Sequence, residues 1–337
     1  MADDLRSQYV SSAGQGDVLR SAAEPGPWDI ALEAMLDAGE GDIARTSERV
    51  RQQVDEIGTS YRLPGELLAR QWPVSPLPLL IDEGEWDGIA AGVMQRAELA
   101  EMLLADLYGS QQLVKSGTLP ASVLTGCPHY LRSMVGIAPP GGHYLHVYAA
   151  DLGRGPDGEW RVLADHTRSP AGAGYALENR LAVSNVLGGL SKQLNIARLA
   201  PFFADLRSGI AASCQRSDPR IALLTPGRLN QSYPEQAHLA RYLGLPLVEG
   251  ADLTVRDDRL YLRTVEGMKR VDALWQRMDA RLLDPLTLDS RSTVGVAGLI
   301  DVMAAGELVV ANFPGAAMLE SHLFMAFLPA LSQRLVG

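Results

Sequence analysis

The segment from Arg161 to Arg180 constrains the fold of this chain more than any other. It opens with alternating apolar and polar side chains over Val162–Arg168, the pattern of a β-strand. The Ser/Pro/Gly-rich stretch Ser169–Gly174 then predicts a turn, and a helix that opens with polar residues follows it. Such a junction presents charged side chains beside backbone N–H groups, so the segment predicts a phosphate or carboxylate site.

Length and composition predict a globular α/β protein with more than one packed unit. The chain has 337 residues, of which 47% are hydrophobic and 21% charged, which is enough for a large core. No apolar run approaches the roughly 20 residues that cross a bilayer. The N-terminus has neither the basic nor the apolar region of a signal peptide. We therefore expect a cytoplasmic protein with no membrane partner.

Charge and cysteine usage argue against two classes of function. The formal net charge of −10 disfavours nucleic-acid binding, and no basic stripe with interleaved aromatic residues offsets it. Cys127 and Cys214 lie far apart with no CxxC spacing, which indicates reduced thiols and argues against zinc. Arginine outnumbers lysine, so recognition of a carboxylate or phosphate by guanidinium groups stays open.

The N-terminal part of the sequence predicts mainly helices. Its apolar residues recur at helical spacing, and glycine follows each predicted helix. Asp82 followed by Glu85 is similar to a capping box. The predicted elements are a flexible arm over residues 1–26, helices Trp28–Ala38 and Ile43–Ile57, a buried strand Leu79–Ile81, and a helix from about Asp82 to near Gly109.

The remaining sequence alternates predicted strands and helices, as in an open α/β sheet. The predicted elements are hairpin strands His143–Ala150 and Trp160–Ala164, helices Tyr175–Leu187 and Pro201–Cys214, strand Ile221–Leu224, a helix around His238, strand Leu247–Gly250, hairpin strands Leu253–Val255 and Leu260–Leu262, strands Val271–Trp275 and Leu308–Asn312, and a final helix Met318–Leu335. A new unit is predicted to begin near Asp218.

Several short motifs, in a fixed order, give most of residues 60–337 a resemblance to a known family. The motifs are Pro139–Gly142, Gly174–Arg180, Leu224–Gly227 with Asn230, Leu239–Gly244, Leu247–Leu253, Asp284–Leu286, Gly295 with Val296, Val310–Asn312 and Leu319–Ser321. Each motif is weak alone, but their number and order are specific. The chain resembles the circularly permuted ATP-grasp family, the glutathionylspermidine-synthase-like group.

The resemblance implies ATP-dependent joining of a carboxylate to an amine through an acyl phosphate, with ATP and Mg²⁺ as cofactors. It also implies the fold class, which is α/β: an α+β grasp lobe plus an open α/β pre-grasp unit, here with a helical N-terminal region. We accordingly expect four segments. They are a flexible arm 1–26, a mainly helical region 27–140, a partial ATP-grasp lobe 141–216 and a pre-ATP-grasp-like unit 217–337.

One departure from the family pattern concerns the metal. Where many members carry Glu and Asn as magnesium ligands, this strand has Ala164 and His166, neither of which suits Mg²⁺. A longer subgroup of the family, often fused to a helical domain, is similar in having Ala-Asp here. Asp165 is the remaining candidate metal ligand, but in a regular strand it faces the opposite side, and a bulge would be needed to redirect it.

A second departure concerns the nucleotide-binding lobe. Family members usually continue into a lobe whose glycine-rich loop and lysine hold ATP, and the sequence after Leu323–Pro329 supplies neither. The glycines of Gly172–Gly174 do not match the P-loop pattern. We therefore expect no tight binding of ATP by this chain alone. Either the chain is cut short at Gly337, or the missing lobe lies on a partner subunit.

Strand ends and the resemblance together give the candidate site residues. The candidates for catalysis are Arg168, Arg180 and Arg277. The candidates for substrate binding are Glu178, Asn179, Asn230, Tyr233, Glu249 and Asp279. Asn230 and Tyr233 follow a strand end, where open α/β sheets place ligands. The alternative interpretation is local: a helix cap with an ion pair around Arg168–Arg180, turn chemistry at Asn230 and Tyr233, and a turn with Asx hydrogen bonding at Glu249.

Two functions from different classes follow. The first is part or subunit of an ATP-dependent carboxylate–amine ligase that takes a small-molecule acid and amine. The second is a noncatalytic ATP-grasp relative that acts as a scaffold or binding partner.

Overall fold

The computed structural model describes residues 2–14, 17–22, 25–63, 66 and 68–336, apart from the side chains at positions 2, 3 and 21. The predicted endpoint Gly337 lies outside these residues. Helices and short strands are mixed along the described chain, which confirms the α/β fold class with a helical N-terminal region. No helix within these ranges is long and apolar enough to cross a membrane.

Fourteen α-helices occur in the described residues. In chain order they are α1 (Ala2–Ser12), α2 (Val18–Ser21), α3 (Pro27–Ala38), α4 (Ile43–Ile57), α5 (Glu83–Tyr108), α6 (Gln112–Lys115), α7 (Ala121–Thr125), α8 (Ala173–Val186), α9 (Leu190–Gln193), α10 (Ala200–Ala212), α11 (Tyr233–Leu243), α12 (Leu299–Ala304), α13 (His322–Met325) and α14 (Leu328–Leu335).

Eleven strands occur in the same described residues. They are β1 (Ser60–Tyr61), β2 (Arg70–Gln71), β3 (Ala149–Arg154), β4 (Trp160–His166), β5 (Ile221–Leu224), β6 (Leu247–Val248), β7 (Leu253–Arg256), β8 (Arg259–Thr264), β9 (Gly267–Val271), β10 (Ala273–Gln276) and β11 (Val309–Ala311). β1 pairs with β2, and β3 with β4, in separate two-stranded sheets.

The N-terminal helices end where the sequence predicts, and for local reasons. Gly39 closes α3, and Gly58 closes α4 with a φ of 83°, a left-handed conformation that glycine adopts without steric cost. The start of α5 is held by the Asp82 carboxylate, which accepts a hydrogen bond from Glu85 N at 2.8 Å. These predictions are confirmed.

A four-stranded parallel sheet has the order β11-β10-β5-β6. Every residue of β5, β10 and β11 is buried, as expected for strands that are apolar on both faces. The chain leaves β5 for β6 on one side and later enters β10 on the other side. The strand order therefore reverses at β5, and the topological switch point lies at the carboxyl ends of β5 and β10.

An antiparallel sheet of β7, β8 and β9 comes between β6 and β10 in the sequence. The turn from β7 to β8 consists of Asp257 and Asp258, with φ values of 51° and 54°, which is the backbone of a type I′ hairpin turn. The predicted hairpin is confirmed. The strand predicted over Val271–Trp275 is confirmed over Ala273–Trp275, which lies in β10, but its predicted start is wrong because Val271 is the last residue of β9.

The chain divides into two compact units built from discontinuous segments. Unit 1 comprises Met1–Ala90, Leu152–Leu163 and Gly172–Leu199; unit 2 comprises Ala91–Asp151, Ala164–Ala171 and Ala200–Gly337. The predicted division into four consecutive segments stays a prediction. So does the flexibility of the predicted arm, which contains α1 and α2 and in which Arg6 Nη1 lies 2.6 Å from Asp29 Oδ1.

Each unit has its own apolar core. In unit 1, α3, α4 and α8 contribute buried residues that include Ala31, Met35, Val50, Val54, Ala182 and Val186. In unit 2, α5 and the parallel sheet contribute residues that include Leu103, Leu104, Leu107, Leu224, Leu274 and Val310. The sheet of unit 2 is thus packed on an apolar interior, and its strand ends are fixed by that packing.

The strand predicted over His143–Ala150 begins only at Ala149. Side chains take the backbone N–H groups that a strand partner would otherwise use. Glu101 accepts hydrogen bonds from Tyr144 N at 2.6 Å and Leu145 N at 2.8 Å. Asn312 accepts from the next two N–H groups. The segment is ordered by buried polar side chains, which apolar alternation does not reveal.

Two further predicted elements are wrong. Leu79–Ile81 is irregular and not buried, and it leads directly into α5. The final helix predicted over Met318–Leu335 is broken into a 3₁₀ helix, Ala316–Glu320, followed by α13 and α14. Ser321 is extended, and Pro329 lies in the first turn of α14, where its missing N–H is tolerated. Apolar spacing continued across both interruptions and so predicted one helix.

Candidate functional site

Unit 2 gathers one group of polar residues at the carboxyl ends of its parallel strands. We call this group the carboxyl-edge site: the segment Thr167–Pro170, the loop Thr225–Ser232, the residues Gln276–Asp279, and the side chains of Asn312 and Glu320. It lies at the topological switch point between β5 and β10, where open α/β sheets bind ligands. This makes it the candidate functional site.

The segment Thr167–Pro170 is bonded to the end of β10 through Gln276. Gln276 Nε2 donates to the carbonyl oxygen of Arg168 at 3.0 Å, and Ser169 Oγ donates to the carbonyl oxygen of Gln276 at 3.1 Å. The remaining amide oxygen of Gln276 accepts from Met278 N at 3.1 Å. These bonds hold the carbonyl of Arg168 and the side chain of Ser169 at the end of β10.

Arg277 forms a fully buried ion pair. Its Nη2 lies 2.7 Å from Glu235 Oε2, with side-chain exposures of 2% for the arginine and 0% for the glutamate. Arg277 Nη1 also donates to the carbonyl oxygen of Pro170. The charge of Arg277 is therefore neutralised inside the protein, and its hydrogen bond to the carbonyl oxygen positions Pro170. The predicted catalytic role of Arg277 stays a prediction.

Arg168 forms a more open pair with Glu320. Arg168 Nη2 lies 3.1 Å from Glu320 Oε2, and the arginine side chain is 38% exposed. Glu320 Oε1 accepts from Thr167 N at 2.8 Å and Arg168 N at 2.7 Å. Since one carboxylate binds both the backbone and the side chain of Arg168, the guanidinium group is positioned while part of it still faces solvent. The guanidinium group of Arg168 can therefore bind an anion from solution.

Asp279 lies just beyond β10 and caps a 3₁₀ helix that starts at Ala280. Its Oδ1 accepts from Arg281 N at 3.0 Å, and its Oδ2 lies 2.7 Å from Arg281 Nη2. Burial by itself raises the pKa of Asp279, but the hydrogen bonds and charge of Arg281, with a smaller contribution from the charge of Arg168, hold this pKa below its usual value. Asp279 is thus an anion bonded within its own loop, and its substrate-binding role stays a prediction.

The loop after β5 is closed by Asn230. Asn230 N donates to Gly227 O, and Asn230 Oδ1 accepts from Ser232 N, both at 3.0 Å. Tyr233 begins α11, and its N–H donates to Asn230 O at 3.2 Å. Asn230 and Tyr233 therefore lie at the strand end where the sequence placed them, and Asn230 also takes the turn role that was its alternative.

Asn312 connects the end of β11 to two other segments of unit 2. Its Oδ1 accepts from His146 N at 2.8 Å and Val147 N at 2.9 Å, while its Nδ2 donates to Val147 O at 2.6 Å and Thr167 O at 2.7 Å. The residue is 2% exposed. All hydrogen-bonding capacity of this buried amide is thus used, and one of its four bonds holds Thr167, the residue before Arg168.

The predicted metal ligand Asp165 is part of an ion pair. It is 6% exposed, and its two carboxylate oxygens accept from Arg96 Nε at 2.6 Å and Arg96 Nη2 at 2.8 Å. Tyr148 donates a further hydrogen bond from its hydroxyl group. Burial, followed by the hydrogen bond to Asp165, raises the pKa of Tyr148, so that hydroxyl stays a donor.

This arrangement does not fit Mg²⁺ at β4. Both oxygens of Asp165 already face a guanidinium cation, and Ala164 has no ligand atom. His166 Nε2 lies 3.0 Å from Asp151 Oδ2, and imidazole is a poor ligand for Mg²⁺. Nowhere in the described chain do three or more His, Cys, Asp or Glu residues form a cluster that could hold a metal ion.

The other predicted site residues belong to unit 1. Asn179 Oδ1 accepts from Trp72 Nε1 at 2.8 Å, and the Trp72 ring stacks on Tyr175 with centroids 3.9 Å apart. Arg180 Nη1 donates to Ala197 O at 2.9 Å, and Glu178 is buried. Asn179 and Arg180 thus make structural bonds within unit 1, and the site roles of all three residues stay predictions.

Sequence reasoning missed the residues that hold Arg168 in place. Gln276 follows a strand predicted from the sequence, but no feature of the sequence assigned it a role in the site. Asn312 and Glu320 belonged to motifs of the resemblance, but neither was given a role. Arg96 lies inside a predicted helix, 69 residues from Asp165, and carried no signal. The positions of Gln276 and Asn312 at strand ends could have indicated them from the sequence. Glu320, the partner of Arg168, and Arg96, the partner of Asp165, are identified only in the folded chain.

A family model matches most of the chain. The family model described as circularly permuted ATP-grasp type 2 matches residues 78–337. A solved structure, a glutathione synthetase-like effector (GSS30) from Globodera pallida in its apo form, aligns with a TM-score of 0.47 and 11% identity, and covers 85% of this chain and 67% of that one.

Similar sequences occur in bacteria. The uncharacterized protein Rv2567 of Mycobacterium tuberculosis is 37% identical over 321 residues, which are 92% of this chain and 36% of that protein. The uncharacterized protein sll0335 of Synechocystis is 33% identical over 279 residues, which are 82% of this chain and 58% of that protein. The chain thus spans between about a third and three-fifths of the length of these relatives.

Proposed function

Because this chain belongs to the circularly permuted ATP-grasp type 2 family, we propose that it is part or subunit of an ATP-dependent carboxylate–amine ligase. The observation that carries the proposal is Arg168 at the carboxyl-edge site. Glu320 and Gln276 fix its side chain and backbone, yet the guanidinium group is 38% exposed. A positioned, accessible cation at the switch point of an open sheet is suited to binding a carboxylate or a transferring phosphoryl group.

The proposed chemistry proceeds in two steps. An oxygen of the substrate carboxylate attacks the γ-phosphorus of ATP, ADP leaves, and an acyl phosphate forms. The nitrogen of the amine then attacks the acyl carbon and loses a proton to the solvent, while inorganic phosphate leaves and an amide remains. Arg168 is proposed to neutralise the negative oxygens of the carboxylate and of the acyl phosphate, which lowers the repulsion between these anions.

We assign no step to a metal at β4, because Asp165 is paired with Arg96. We also place the groups that grip ATP outside the carboxyl-edge site, because the family resemblance implies a glycine-rich loop with a lysine for this role and the site contains no lysine. The proposal therefore includes a partner that supplies the nucleotide-binding groups. Tight binding of ATP by this chain alone is not expected.

The second candidate is a noncatalytic ATP-grasp relative that acts as a scaffold. The observation in its favour is the internal ion pair Arg96–Asp165, which takes the one carboxylate left where many members of the family carry metal ligands. A protein of this type keeps the fold and the partner surface but releases no ADP. The two candidates thus differ in a measurable product.

Release of ADP tests the ligase proposal. The chain would be mixed with a polypeptide that carries the nucleotide-binding lobe of a relative, together with ATP, Mg²⁺, and pools of acids and amines. We expect sustained release of ADP over many turnovers only when an acid and an amine are both present, and a loss of about 100-fold in this rate in Arg168→Met. Arg291→Met is the matched control, since Arg291 is an exposed arginine paired with Asp289.

The opposite result would favour the scaffold. If no acid and amine pair releases ADP, and ATP leaves the melting temperature of the mixture unchanged, the ligase proposal fails. If ADP is released equally by the wild type and Arg168→Met, the carboxyl-edge site is not where the chemistry occurs.

A further inference from the structure

We propose that the loop Thr225–Ser232 and the first turns of α11 form the binding site for the acceptor amine, with Gln236 as its hydrogen-bond acceptor. This inference rests on the proposed ligase function, which supplies the class of substrate. It adds a residue that the sequence did not predict. It also separates the amine from the anion that Arg168 is proposed to bind.

Gln236 has an unused acceptor in a buried position. The residue is 1% exposed, its Nε2 donates to Asn230 Oδ1 at 3.0 Å, and its Oε1 has no hydrogen-bond partner among the described residues. Nearly all buried polar atoms in proteins have a partner. The carbonyl oxygen of Gln236 therefore calls for a donor that the described chain does not supply.

The orientation of the Gln236 amide is set by its neighbour. Asn230 Oδ1 also accepts from Ser232 N at 3.0 Å, so this atom of Asn230 is an oxygen and not the amide nitrogen. Gln236 must then present its nitrogen to Asn230, because two oxygens would repel each other. The unused atom is thus an acceptor, and it lies beside the loop that contains Asn230. It requires an N–H or O–H group.

A carboxylate beside the same loop favours a cationic donor. Gly227 O accepts from Asn230 N, and the carboxylate of Glu249 lies 3.4 Å from where a β-carbon on Gly227 would be. Gly227 has a φ of 104°, which disfavours any other residue there. Glu235, also at the start of α11, is neutralised by Arg277. Glu249 therefore places an exposed carboxylate beside this loop.

An acceptor oxygen and a carboxylate together select a protonated amine over an anion. An ammonium group has several N–H donors and a positive charge, and both match this loop. A phosphate or carboxylate would meet an acceptor and a like charge. The site thus complements Arg168, the exposed cation of the carboxyl-edge site.

Binding of n-propylammonium, measured by NMR titration without ATP, tests the proposal. We expect the side-chain amide signal of Gln236 to shift with n-propylammonium and not with tetramethylammonium, which has the charge but no N–H donor. Gln236→Met keeps the length of the side chain and removes the acceptor. It should weaken binding about tenfold, as expected for a lost hydrogen bond to a charged group. Glu249→Gln should weaken it as well.

The control is Gln333→Met, which changes an exposed glutamine of α14, in unit 2 but outside the proposed site, and should leave binding unchanged. Equal binding of both ammonium ions, binding that is unaffected by Gln236→Met, or no binding at all would overturn the proposal. Because the titration contains no ATP, it is independent of ADP release. Amine binding without ADP release would contradict the ligase function alone, and ADP release without binding at Gln236 would contradict this site alone.

Discussion

Two arginine–carboxylate pairs hold the segment Thr167–Pro170, and they differ in exposure. Arg277 and Glu235 are 2% and 0% exposed, whereas Arg168 and Glu320 are 38% and 18% exposed. Removing one member of a buried pair leaves an isolated charge in the interior, while water replaces the lost partner of an open pair. The buried pair therefore acts on stability, and the open pair is the one that a ligand can reach.

The largest effect is expected from breaking the buried pair. Arg277→Met removes the guanidinium group that faces the Glu235 carboxylate, which is 0% exposed, and it should lower the free energy of unfolding by about 3–5 kcal/mol. Urea denaturation at neutral pH measures this. Arg281→Met is the matched control, since the Arg281–Asp279 pair is partly exposed and should contribute no more than about 1 kcal/mol. Similar losses in the two variants would show that burial does not separate the pairs.

A buried neutral contact to the same segment should give an intermediate effect. Asn312→Leu leaves the N–H groups of His146 and Val147 and the carbonyl of Thr167 without their partner, so we expect a loss of about 2–3 kcal/mol. Thermal unfolding would report it. Asn185→Leu, at an exposed position of unit 1, should change stability by less than about 0.5 kcal/mol. If Asn312→Leu leaves the free energy of unfolding unchanged, only the charged contacts to the segment Thr167–Pro170 contribute to stability.

Acid should lower the free energy of unfolding through protonation of His146, a partly buried residue of unit 2. Burial, with a smaller contribution from the charge of His143, lowers the pKa of His146 from 6.5 to about 4. The unfolded chain therefore binds this proton more readily than the folded chain. The contribution of His146 to stability is complete above pH 6.5 and is lost as the pH falls to about 4, at a cost of about 1–3 kcal/mol.

Comparison of the wild type with His146→Gln isolates this proton. Urea denaturation of both proteins at several pH values between 7 and 4 should show a steeper loss of stability in the wild type. Parallel curves would mean that other groups dominate the acid response of the protein, and that His146 is accessible to protons in the folded state.

The smallest effect on stability is expected at the open pair. Arg168→Met should lower the free energy of unfolding by less than about 1 kcal/mol, since Arg168 is partly solvated in the folded protein. Measured under the same conditions as Arg277→Met, this would sharpen the contrast between the two pairs. A loss comparable to that of Arg277→Met would give Arg168 a structural role and weaken its assignment as a ligand-binding cation.

The sequence predicted the elements whose causes are local. α4 and its glycine stop, the capped start of α5, and the hairpin at Asp257 and Asp258 each depend on neighbouring residues, and each is confirmed. The strand predicted over His143–Ala150 was largely wrong because Glu101 and Asn312, both distant in the sequence, bind its backbone. Periodicity does not report such long-range hydrogen bonds.

The candidate site was predictable in its position and less so in its contacts. Asn230, Tyr233, Arg277 and Asp279 follow predicted strands, and parallel strands bring their carboxyl ends to one edge. Glu178, Asn179 and Arg180 were grouped with Arg168 because they follow it closely in the sequence. The chain passes from unit 2 to unit 1 between Ala171 and Gly172, so the structure assigns them to different units.

By itself, the sequence determined the α/β class, the family and the strand ends at which polar residues are presented. These follow from periodicity, turn residues and ordered motifs, all of which can be read along the chain. Only the tertiary structure decided that Arg277 is neutralised by an ion pair while Arg168 is accessible to solvent. It also decided that Asp165 forms an ion pair with Arg96 and that the side-chain oxygen of Gln236 accepts no hydrogen bond among the described residues. The reason is physical: the effect of a charge or a hydrogen-bonding group depends on its burial and on its partner, and both are set by residues far away in the sequence.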